Sequence, residues 1–179
     1  MEAKEANIFK HYKKLGRKII LSLSRTQKPK RFDMFVDVAR IMAPRDYEFF
    51  WLGNEEVMTG LPDNVHCMGM VENARAYLRF ADLLVLFSDF EGLPVSVLEA
   101  FEASVPVVAS KVGGVTELLD GNNGLAIDNS VEAAVTAIET ILHGNTEEHR
   151  KAAFATFQKG YTIEHMVDGY LRMYQECLE

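Results

Sequence analysis

At 179 residues, with 48% apolar and 25% charged side chains, the chain has the make-up of a single globular domain, one that buries roughly two-thirds of its unfolded surface without disulfide or metal staples. A formal charge of −7 argues against the broad cationic surface that nucleic-acid binding needs, so no partner of that kind is expected. No apolar run approaches the ~20 residues of a membrane-spanning helix.

Residues 1–16, MEAKEANIFKHYKKLG, contain no hydrophobic signal core and read as an N-terminal extension or linker helix. Lys13, Lys14, Arg17, Lys18, Arg25, Lys28, Lys30 and Arg31 gather positive charge into the first fifth of the chain. Two readings of that block stay open: a face turned to a membrane or to phosphates, and a solvated basic surface. The expected location is the cytoplasm, at the inner face of the membrane if the block makes a peripheral contact with lipid.

From 17 to 130 short β-rich runs alternate with segments of helical period, which is the pattern of βαβ units. The runs predict strands over 18–23, 47–52, 65–68, 83–87, 107–109 and 125–127, and helices over 33–42, 74–80, 94–103 and 116–119. Pro44 stops a helix, Gly53 and Gly69 end strands, and a turn spans 121–124. Residues 131–179 form a helical tail, with helices predicted over 131–143, 146–157 and 163–177. The expected fold is α/β: a doubly wound, mostly parallel, Rossmann-like sheet of about six strands, covered on both faces because several strands are apolar throughout. Cys67 and Cys177 lie far apart with no CxxC pairing and read as free thiols of a reducing compartment. Trp51 and the scattered methionines read as core, and His11 and His66 as satisfied or exposed.

In such sheets ligands bind at the carboxyl ends of the strands, which singles out the loops 24–32, 69–73 and 88–94. The last of these runs Ser88-Asp89-Phe90-Glu91-Gly92-Leu93-Pro94-Val95 into a helix. Pro94 suits the first helical position, Gly92 permits close approach, and the free N–H groups of the first turn suit a phosphate. Glu91 and Glu99 would repel a diphosphate but accept hydrogen bonds from hydroxyls. The combination describes a site that holds phosphates on amides and sugar or ribose hydroxyls on carboxylates. Gly113 and Gly114 either line that site or turn the chain into the next helix.

Glu91 and Glu99, with seven residues between them in SDFEGLPVSVLEAFEASVPVVASKVGGVTELLDGNNGLAI, resemble the E-x7-E block of the retaining, nucleotide-sugar-dependent glycosyltransferases of the large group 1 family. LSLSRTQKPKRFD resembles that family's donor-phosphate segment, VHCMGMVEN its base-cradling segment and YTIEHMVDGYLRMYQECL its closing helix, so the resemblance covers roughly 17–178. It implies one half of a two-domain enzyme, with the N-terminal acceptor-binding domain missing. A UDP- or GDP-sugar would be the donor, and a glycan or lipid-linked molecule the acceptor. By the same resemblance Arg25 and Lys30 grip the diphosphate, with Ser24 beside them, and the backbone of Met70 and Val71 meets the base. Glu99 takes the ribose, and Glu91 with Gly92 and Leu93 holds the transferred sugar at the Pro94–Val95 helix start. Arg25, Lys30 and Glu91 are the expected catalytic groups. No cofactor is expected and no metal, since cations take its role and no Asp-x-Asp pair is present. Ser24 and Arg31 stand where relatives often carry glycine, a departure expected to alter loop shape more than charge.

The chain contains no GxGxxG after its first strand, no Walker-type phosphate loop and no GxSxG, which disfavours oxidoreductase, P-loop and hydrolase chemistry. Two rivals remain: a nucleotide-sugar epimerase of similar architecture, and a non-catalytic binding domain.

Overall fold

The structure is a computed structural model and describes residues 3–178. In chain order its elements are α1 (Ala3–Lys14), β1 (Lys18–Leu23), α2 (Phe32–Ile41), β2 (Tyr47–Leu52), β3 (Val65–Cys67), a 3-10 helix (Ala74–Phe80) and β4 (Leu83–Leu86). There follow α3 (Val95–Glu102), β5 (Val107–Ser110), α4 (Val115–Leu118), β6 (Gly124–Ile127), α5 (Val131–His143), α6 (Thr146–Gly160) and α7 (Ile163–Glu176). The six strands form one sheet in the order β3-β2-β1-β4-β5-β6, every neighbouring pair parallel. This is the doubly wound order, and the chain reverses its direction of winding between β1 and β4.

Alternation along each strand divides the core into two layers. Ile20, Phe49, Trp51, Val85 and Val108 pack under α2 and α5, while Ile19, Leu21, Phe50, Leu84 and Ala109 face α1, α3 and the 3-10 helix. Both faces are covered, which is why Tyr47–Leu52 is buried at every position. Phe9 of α1 is fully buried, its ring 4.3 Å from that of Phe50, so the segment before β1 contributes a core side chain.

Three local departures from the sequence expectations have identifiable causes. Residues 74–80 form a 3-10 helix, entered through Asn73 at φ 54°; the spacing of Ala74, Tyr77 and Phe80 puts every third residue over the core, matching a three-residue turn. β4 stops at Leu86 because the next carbonyl, Phe87 O, accepts the Arg31 N–H from another loop. Pro94 is the N-cap of α3, extended at ψ 111°, with Val95 as the first helical residue.

The tail helices begin on side-chain caps, as Ser130, Asn145 and Thr162 each accept from the backbone N–H three residues on. α5 buries its apolar stripe under the sheet, whereas α7 buries no residue at all. Ile163, Met166, Val167, Tyr170, Leu171 and Tyr174 recur at helical spacing along α7, each at least 44% exposed. Among the described residues no helix is long and apolar enough to cross a membrane.

Candidate functional site

The reversal between β1 and β4 opens a crevice at the carboxyl ends of those strands, and the two loops leaving them are tied together by backbone. Arg31 N–H donates to Phe87 O at 2.9 Å, Asp89 N–H donates to Pro29 O at 3.0 Å, and Lys30 bridges antiparallel to Ser88. On the other side of β1, a Cβ at Gly53 would stand 2.6 Å from Ser24 O, so these backbones meet where only glycine fits, at φ +115°.

A cleft of about 330 Å³ lies above the ends of β1 and β2. Ser24, Arg25, Met70, Val71, Ser96 and Glu99 line it, which brings together five of the residues singled out from sequence and adds Ser96. Arg25 is exposed and makes no hydrogen bond or ion pair to another described residue. The Ser24 hydroxyl is buried against the cleft without a partner among the described residues. Burial pushes the Glu99 carboxyl above its usual range; Arg75 opposes the shift and Glu102 adds to it. Arg75 also lines the cleft and stands 3.7 Å from Glu102. Its position on the 3-10 helix carried no motif, so only the fold reveals it.

Lys30 and Glu91 lie outside this cleft's lining and form an ion pair with each other, their side chains 24% and 11% exposed. Beside them the N–H groups of Gly92, Leu93 and Val95 donate to no described residue, which leaves free donors at the start of α3 next to the pair. The glycines Gly113 and Gly114 support this loop from below and also lead into α4. A Cβ on Gly113, at φ +48°, would fall 1.8 Å from Glu91 O, and one on Gly114 2.5 Å from Gly92 O. Gly114 N–H donates to that same Gly92 carbonyl at 2.9 Å. The pair's role is thus to let two backbones touch; neither glycine lines the 330 Å³ cleft.

The remaining charged groups of the first fifth are largely consumed within the fold. Lys13 and Lys18 reach Asp82 at 2.6 and 3.9 Å, Arg31 reaches Asp33 and Asp89 at 2.8 and 3.4 Å, and Arg17 pairs with the buried Glu48. His66 is satisfied on the same carboxylate at 2.7 Å and is flanked by the rings of Tyr12 and Phe50. Both cysteines are free, and burial pushes the Cys67 thiol up to about 11, which makes it a poor nucleophile. Among the described residues no group of His, Cys, Asp or Glu is arranged to hold a metal ion.

Comparison with known proteins gives the same architecture a family. The family model described as "Glycosyl transferases group 1" matches residues 17–144. The O-antigen biosynthesis glycosyltransferase WbnH of Escherichia coli is 32% identical over 157 residues, 84% of this chain and 45% of that protein. Among solved structures, a glycosyltransferase from Rickettsia africae superposes with a TM-score of 0.84 at 19% identity over 100% of this chain and 53% of its own. HepE of Anabaena, crystallised with UDP, gives 0.83 at 19% identity over 96% and 53%. The chain spans about half the length of the relatives it matches.

Proposed function

Because the chain belongs to the group 1 glycosyltransferases, as a C-terminal domain of that family, we propose that it is the donor-binding half of a retaining transferase that moves a sugar from a UDP- or GDP-sugar to an acceptor. The observation that carries this reading is the β1–β4 crevice, where an unpaired Arg25, a cleft floored by Glu99 and the Lys30–Glu91 pair surround an open helix start. UDP is the nucleotide to test first, since HepE was crystallised with it.

In this reading the base lies against the Met70–Val71 backbone and the ribose hydroxyls donate to Glu99. The diphosphate meets Arg25, Lys30 and the amides of Gly92, Leu93 and Val95. Glu91, neutralised in part by Lys30, turns its remaining acceptor capacity to a hydroxyl of the transferred sugar. As the glycosidic bond breaks, negative charge grows on the departing phosphate, and the two cations stabilise it without a metal ion. The acceptor, a glycan or a lipid-linked glycan, is held beside the anomeric carbon by a second domain, because proximity is what makes the transfer effectively unimolecular. The uncovered apolar stripe of α7 supports such a partner domain, since a lone 14-residue helix gains little stability in water without packing. Lys14 and Lys28, which like Arg25 form no ion pair among the described residues but lie outside the cleft lining, are where a peripheral membrane contact would fall.

Titrating the chain with UDP and GDP by calorimetry tests the reading. Binding of one of them with a Kd of about 1 mM or tighter is expected; no binding of either at several times that concentration overturns it. Arg25→Ala and Glu99→Ala should each weaken the bound nucleotide by about 1–3 kcal/mol, as loss of a charge-assisted contact does.

A further inference from the structure

Ser88 sits two residues beyond β4, fully buried, at the point where the two crevice loops touch. Its N–H donates to Ser110 Oγ at 2.9 Å, at the end of β5. Ser110 Oγ in turn donates to Asn129 Oδ1, and Asn129 Nδ2 returns to Ser88 O at 2.9 Å. Three residues from the ends of three neighbouring strands thus close a ring of hydrogen bonds in which each donor and acceptor role is used once.

The ring has one free arm. Ser88 Oγ is 3.0 Å from Phe90 O and 3.3 Å from Pro29 O, the carbonyls immediately preceding Glu91 and Lys30. The one proton of this hydroxyl is shared between carbonyls of the two chain segments whose next residues form the ion pair, with Phe90 O the nearer. We propose that Asn129, acting through Ser110 and Ser88, is a positioning residue that sets the relative placement of Lys30 and Glu91. This rests on the donor-binding reading for its consequence: the phosphate-gripping cation and the sugar-holding carboxylate are fixed together, at a distance from the base and ribose end of the cleft. Asn129 is itself exposed while its two partners are buried, so truncating it removes the ring's keystone and leaves the core packing in place.

The experiment uses the full chain and two variants, Asn129→Ala and the isosteric Asn129→Asp, which keeps an acceptor for Ser110 but cannot donate to Ser88 O. Amide hydrogen exchange without ligand gives the first readout. Exchange at Arg31 and Asp89, whose N–H groups join the two loops, should quicken severalfold in both variants, while Leu84 N–H in the sheet, bonded to Pro106 O, stays protected. Nucleotide binding gives the second. Affinity for UDP, or for GDP if that is the base the chain takes, should fall about two- to tenfold, the range of a single hydrogen bond, and affinity for the monophosphate should not change. Unaltered exchange at Arg31 and Asp89 overturns the positioning role whatever the chain binds. Equal loss of mono- and diphosphate, or faster exchange at Leu84 as well, overturns it too, by making Asn129 merely structural. If the wild type binds no nucleotide but the variants show the local exchange pattern, the ring's action on the loops stands and the donor-binding reading is sunk.

Discussion

The crevice contains two acid–base couples that the sequence treats alike and the fold treats differently. Arg25 and Glu99 line one cleft: Arg25 is unpaired among the described residues, and burial pushes the Glu99 carboxyl upward. Lys30 and Glu91 are closed on each other in a loop propped by two glycines and a buried serine. The contrast teaches that the first couple keeps interaction free energy available for a ligand, while the second has already used part of its own to fix a geometry. Substitutions in the first should act mainly on binding, and substitutions in the second on both folding and binding.

The largest effect expected is at the support of the closed couple. Gly113→Ala forces a methyl into Glu91 O at a backbone angle of φ +48°, and should cost about 3 kcal/mol in chemical denaturation. A cost below about 1 kcal/mol would show that the Glu91 loop yields freely and that the couple is not rigidly held. Lys30→Met comes next, leaving Glu91, only 11% exposed, without its cation. It should cost about 1–3 kcal/mol of stability, while Arg25→Met stays within about 0.5 kcal/mol of wild type; equal costs would erase the distinction between the couples.

The open couple has a pH signature of smaller size. Burial raises the folded Glu99 carboxyl above its ordinary value, so the native state binds more protons than the unfolded one. Stability therefore falls as pH rises through the ordinary carboxylate value toward the folded one. Glu99→Gln carries no such charge and should be more stable than wild type at pH 7, with an advantage that shrinks as pH drops through the ordinary carboxylate range. Thermal unfolding across pH 3–8, read as roughly the interval spanning carboxylate titration, decides it; an advantage that grows on acidification would contradict the assignment. The smallest effect belongs to Arg31, whose side chain pairs with Asp33 at the start of α2 and with Asp89 of the facing loop, at the surface. Arg31→Gly should cost no more than about 1 kcal/mol, as exposed ion pairs do, and leave the Lys30–Glu91 couple intact.

Much of this was legible in the residues because the relevant forces are local or periodic. The segment Tyr47–Leu52 shows itself as a strand because burial on both faces demands apolar character at nearly every position, and Val131–His143 shows its helix through an amphipathic stripe behind the Ser130 cap. The crevice was legible too, since the alternation of runs implies strand ends facing loops with Arg25, Glu91 and Glu99. Its internal pairing was not. Lys30 and Glu91 are 61 positions apart, and nothing in either neighbourhood shows which cation meets which carboxylate. Ser88, Ser110 and Asn129 did leave a faint trace, as polar residues at or just past the ends of apolar strands, but a trace of that kind does not say that they bond to each other. Residues 74–80 were legible as a helix with the right bounds but not as a 3-10 helix, because apolar spacing of three fits a tight helix as well as an α-helix over so short a stretch.

The sequence by itself determined the α/β alternation, the strand ends where a ligand would sit, and the inventory of cations, carboxylates and glycines offered there, because propensity and hydrophobic period act between near neighbours. The strand order that puts β4 beside β1, the closure of Lys30 on Glu91 while Arg25 stays open, and the ring that aligns them were decided only in three dimensions. Charges and hydrogen-bond donors choose partners by distance, and distance between segments sixty residues apart does not exist until the sheet has formed.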